Sequence, residues 1–233
     1  MACYIYPVAF INAVRAVLTK DLLIEFRNKY VLGGIMLYVF SSVLLIYFSL
    51  QFNSTLNDLP SGIWSILFWM IILFSAVNAI ANSFFREPEG RFYYYYWLIS
   101  PQVLISAKLV YNFLFTVALS MLTFIIFSLT ISSPVVDYPV FFLTIILGGT
   151  GYSFLFTTMS AIASRAGNNA TLMAILGFPL VIPLLIFLTK LSASAIGGDG
   201  FSHEVVKNLM LLSAFNIVLP ALALVLFPYI WRD

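Results

Sequence analysis

Charged residues cut this chain into long apolar runs. The intervals 30–57, 59–85, 109–136, 138–164, 166–189 and 208–231 hold no Asp, Glu, Lys or Arg, and count to 28, 27, 28, 27, 24 and 24 residues. A helix of about 20 apolar residues crosses the hydrocarbon layer, and helices are the expected way to satisfy a backbone there. The pattern therefore predicts six spans, at about 31–52, 61–84, 104–132, 139–163, 169–190 and 209–231. The remaining interval, 92–107, is 16 residues long and contains Pro101, too short and broken to cross.

Residues 8–29 precede the first span, and Ile11, Val14, Leu18, Leu22 and Phe26 recur at helical spacing along one face. Two readings are open for this segment. It is either an interfacial helix lying on the inner leaflet, its basic residues near anionic headgroups, or an extension of the first span. The expected fold is all-α: a polytopic membrane protein with six transmembrane helices and an N-terminal interfacial helix, one transmembrane domain over 1–233. The connections at 53–60 and 133–138 are short and turn-like, 164–168 is a tight turn, and the last outer loop is expected over roughly 191–208, with Gly197, Gly198 and Gly200.

Composition agrees: 62% of residues are apolar and 9% charged, against about 25% charged in soluble domains. The distribution of charge sets an orientation. With a cytoplasmic N-terminus, the inner segments hold Arg15, Lys20, Arg27, Lys29, Arg86, Arg91, Lys108, Arg165 and Arg232, and the outer ones only Lys190 and Lys207. That bias places both termini in the cytoplasm. Cys3 is the only cysteine, which excludes a disulfide framework and a thiolate metal site. The opening MACYIYPVAF lacks a basic n-region, so the first span is expected to serve as an uncleaved signal.

The stretch Phe84–Lys108 is the one sizeable polar and aromatic interruption on the basic side. It places Arg86, Glu87, Glu89, Gly90 and Arg91 beside Tyr93–Tyr96, Trp97 and a Ser-Pro turn. Tyr and Trp suit a membrane interface. An aromatic belt with inner-side charges explains the residue types, but a docking surface for a cytosolic partner also explains the loop's length and its paired acids and bases.

Other candidates each have a bland alternative. Asn78, Asn82, Asn112 and Asn216 line a path or bond across helices. Gly148, Gly149, Gly151, Ser160, Ala161 and Ser164 make the fourth span rich in small residues, fit for close packing or a hinge. Pro179 and Pro183 are expected to kink the fifth. His203 is a lone histidine in the outer loop: a haem or metal ligand, or an ordinary solvated side chain. No ionisable group is expected in the core of a span, which argues against proton-coupled transport. No glycine is followed by lysine, so no Walker-type phosphate loop exists. Catalytic triads, metal clusters and Rossmann glycines are missing too, and the chain is not expected to be an enzyme on its own.

Several stretches together resemble the heme exporter protein B (CcmB) family, an ABC-type permease of cytochrome c maturation. KDLLIEFRNK resembles that family's helix before the first span, and SGIW at 61–64 its opening of the second. FFREPEGRF, followed by LISP at 98–101 and Lys108, resembles its run after the second span. GFPLVIPLLIF at 177–187 resembles its fifth. Arg91, Phe92 and four tyrosines depart from the family's usual run. The resemblance implies an ABC-2-like permease in the bacterial inner membrane, present in two copies. Its implied partners are a separate ATP-binding cassette subunit (CcmA-like), a haem-handling membrane protein (CcmC-like), a small helical subunit (CcmD-like) and membrane lipids, with no nucleic acid. It further implies partner docking through Arg86, Glu87, Glu89, Gly90 and Arg91, and through Lys20, Glu25 and Arg27. No cofactor is assigned to the chain, and haem enters as a transported or handled ligand. Two alternatives stay open: an ABC export permease for a lipid-linked glycan or drug, and a non-transporting membrane scaffold.

Overall fold

The computed structural model describes residues 7–27, 29–52, 59–85, 100–131, 133–165 and 170–232, which form seven helices and no strand. They are α1 (Pro7–Arg27), α2 (Lys29–Phe52), α3 (Ser61–Phe85), α4 (Pro101–Ile131), α5 (Tyr138–Arg165), α6 (Ala170–Gly197) and α7 (His203–Arg232). Six of them, α2 to α7, are long and apolar enough to cross a membrane. Together with the all-helical architecture, this is the polytopic arrangement that the charge-free intervals predict.

Local chemistry explains where the helices begin and end. Pro7 and Pro101 open α1 and α4, where the missing N–H costs nothing. Ser202 accepts from Val206 N through its carbonyl at 3.0 Å and from Val205 N through its hydroxyl at 3.4 Å, starting α7. Gly198, at φ 77°, lets Asp199 N reach back to Ser194 O at 3.2 Å and closes α6.

That closure corrects one expectation. The loop expected over 191–208 is helical to Gly197 and again from His203, leaving residues 198–202 as the connection. Lys190 does not end the helix: it is exposed on the side of α6, and the Ser/Ala-rich turn after it carries the helix onward. α6 also runs unbroken through Pro179 and Pro183, as spanning helices can when neighbours re-satisfy the freed backbone groups.

α5 is the hub, packed against α3, α4, α6 and α7. Two thirds (67%) of its apolar window is buried, against 17% for α2, which lies at the periphery. The main core gathers Trp64, Phe68, Trp69, Phe124, Phe127 and Phe141, and Trp69 Nε1 donates to Ser192 Oγ at 2.8 Å. The glycines of α5 are there for space. A Cβ on Gly148 would lie 2.5 Å from Trp69 Cη2, and one on Gly151 would lie 2.8 Å from Leu184 Cδ1.

α1 is a helix of its own, lodged against α4. Val17 is buried with Val103, Leu104, Ile105 and Ala107 of α4, Ala161 of α5, and Ala223 and Phe227 of α7, while Phe10, Ala13 and Val14 pack around them. The buried face thus differs from the stripe read in the sequence. Ile11 is 63% exposed, because small Ala13 and polar Asp21 belong to the docking face and a search for large apolar residues passes over them.

Candidate functional site at the α1 end of the bundle

Arg86, Glu87, Glu89, Gly90 and Arg91 lie outside the described residues, as does the tyrosine run 93–96. The structure does describe what flanks them: α3 ends at Phe85, and α4 starts at Pro101, with Val103 N and Leu104 N donating to Ser100 O. Glu25 sits on α1, its side chain outside the described set. Lys20 and Arg27 are described. They share one face of α1 with Asn12, Arg15, Thr19 and Leu23, a face that lines an open, basic hollow.

The distinctive arrangement at this end is one the sequence reading did not single out. Asp21 on α1 is 8% exposed and Lys108 on α4 is 4% exposed. Lys108 Nζ lies 3.2 Å from Asp21 Oδ2, and Lys20 Nζ lies 2.9 Å from Asp21 Oδ1. One carboxylate therefore stands between two ammonium groups, one buried and one partly exposed. Desolvating such a pair is costly, and its loss on one side leaves an uncompensated buried charge. The pair consequently fixes how α1 sits on α4: any other register strands a charge in an apolar seat. Asp21 was findable in principle, being four residues after Val17 on the same helical face. Lys108 likewise begins an i+4 series of polar residues, Lys108, Asn112, Thr116 and Ser120, along one side of a mainly apolar helix.

The remaining candidates separate clearly. Asn112 Nδ2 donates to Thr157 Oγ1 at 2.9 Å, and Asn216 Nδ2 to Leu147 O at 2.8 Å, so both act as cross-helix struts. His203 is the exposed first residue of α7. Among the described residues, no three His, Cys, Asp or Glu side chains are grouped to hold a metal.

Six long apolar helices, with α5 as their polar-seamed hub, and a separate N-terminal helix keyed to the bundle by charge define a polytopic all-α membrane protein. The chain belongs to the CcmB family, whose model, described as CcmB protein, matches residues 12–230. It is thus a membrane permease component of the haem exporter of cytochrome c maturation, and not a catalytic enzyme. No curated protein and no solved structure is detectably similar to it.

Proposed function

We propose that this chain is the permease half through which a separate ATP-binding cassette subunit, docked at the α1 end, drives release of a haem-loaded chaperone on the opposite side of the bacterial inner membrane. In this reading both termini are cytoplasmic and two copies pair. A haem-handling membrane protein and a small helical subunit complete the complex, with haem as the handled cargo. The observation that carries the reading is the buried Asp21–Lys108 pair. It ties α1 to α4 a short way past the 86–99 segment, so a push on either is delivered to the same helix. Opposite faces of α1 divide the work. One is buried on the bundle, and the other, with Arg15, Lys20 and Arg27, is open to a partner.

Reversing charge at Glu87 and Glu89 together is expected to weaken association with the ATP-binding subunit while membrane insertion stays intact. Co-expression followed by pull-down from detergent measures both. Recovery of the ATP-binding subunit at wild-type yield would remove the docking role from this loop.

A further inference from the structure

Five buried polar residues run down one side of α4: Lys108, Asn112, Thr116, Ser120 and Thr123. Two contacts fix how α5 passes this stripe. Asn112 bonds Thr157, and a Cβ on Gly149 would lie 3.3 Å from Ser120 Oγ and equally close to the Val117 backbone. The helices are antiparallel and close here, and the same register sets Thr116 opposite Ser153. Ser160 lies about two turns further toward the α1 end, next in sequence to Ala161 of the cluster that seats Val17.

Hydroxyls in apolar helices commonly donate back to the carbonyl one turn earlier. Most here do: Ser120 to Thr116 O, Thr123 to Leu119 O, Thr144 to Val140 O and Thr158 to Phe154 O, all at 2.7–2.8 Å. Thr116, Ser153 and Ser160 break the habit. Each is 0% exposed, and its hydroxyl oxygen has no hydrogen-bond partner among the described residues. Three such groups along one seam call for a ligand that both donates and accepts and that fits between helices spaced by hydroxyl-sized side chains. Water both donates and accepts and is the smallest ligand that does, and buried polar groups without protein partners are where internal waters settle.

We propose that the α4–α5 seam is an internal water site, with one water bridging Thr116 Oγ1 and Ser153 Oγ and a second held by Ser160 toward the Asp21–Lys108 pair. A hydrated joint can exchange its bonds for others as the helices shift, which the aromatic packing around α3 cannot do.

Water-edited solid-state NMR on the full chain in lipid bilayers tests this, with Thr and Ser carbons labelled and peaks assigned through Thr116→Val and Ser153→Ala. Thr116 and Ser153 are expected to gain signal from water as fast as exposed Thr19, while Thr144, whose hydroxyl is satisfied within its own helix, stays near baseline. If Thr116 and Ser153 track Thr144, the seam is dry and the proposal falls. Thermal melting gives a second sign. Thr116→Val is expected to lower the melting temperature by about 2 °C or more if it evicts a bridging water. A rise would mean that the substitution had merely removed an unsatisfied dry hydroxyl, and would overturn the proposal.

Discussion

The two ends of the bundle are fastened by different chemistry. At the α1 end, helices far apart in sequence are joined by side-chain charge, with Asp21 between Lys20 and Lys108. At the opposite end the ties are mostly backbone. Val136 N and Asp137 N both donate to Ala195 O, at 3.2 and 2.9 Å, and the Asp137 carboxylate accepts from Gly200 N at 2.8 Å. Backbone ties hold whatever side chains surround them. A buried ion pair holds only while both partners are present and charged, so the α1 end is the one a partner's force or a single substitution can release.

The strongest break of this contrast is at the ion pair. Asp21→Asn, which removes the buried carboxylate facing Lys108 and Lys20, is expected to cost about 3–5 kcal/mol, read as a fall in unfolding midpoint in detergent. Asp21→Leu combined with Lys108→Met should recover most of that loss. A single variant as stable as wild type would show that charge does not hold this end. Gly148→Ala probes the core between the ends. Its methyl has nowhere to go against the rigid Trp69 indole, and overpacking of this kind costs about 1–3 kcal/mol. An unchanged midpoint would mean that α3 and α5 are less tightly apposed than described.

Asp137→Ala is expected to cost about 1 kcal/mol, since it removes one hydrogen bond and leaves the two Ala195 ties in place. Hydrogen exchange at Gly200 should speed up while exchange in α4 does not. Spread of the effect to α4 would contradict the separation of the two ends. The smallest effect is expected from His203→Ala, which should leave the yield of haem-bound chaperone largely unaltered in a maturation assay. A clear loss would give this exposed residue a role that its surroundings do not suggest.

The fold was readable because lipid makes charge a punctuation mark, and charge-free intervals located all six long helices. The same rule misplaced the last loop, since Lys190 rides on the flank of a helix that continues past it. Of the charge clamp, the two positions were legible but their pairing was not, for a different reason. Asp21 and Lys108 acquire meaning only through the packing of α1 on α4, and no local pattern reports a register between distant helices. The docking face of α1 was misread by about one position because Ala13 and Asp21 are small or polar, while exposed Ile11 looks like core. The loop 86–91, which the sequence singled out for partner docking, lies outside the described residues and keeps its role as a proposal.

Trp69 has a consequence for how this chain can drift over generations. Its indole fills the space above Gly148 and donates to Ser192, so three helices meet in one side chain. A smaller residue at 69 would orphan the Ser192 hydroxyl and relieve only part of the crowding at 148, because a Cβ there would also lie 2.7 Å from Leu188 Cδ2. A larger residue at 148 is tolerable only after 69 has shrunk and Leu188 has shifted. Positions 69, 148 and 192 are therefore expected to change as a set, in a fixed order, or not at all.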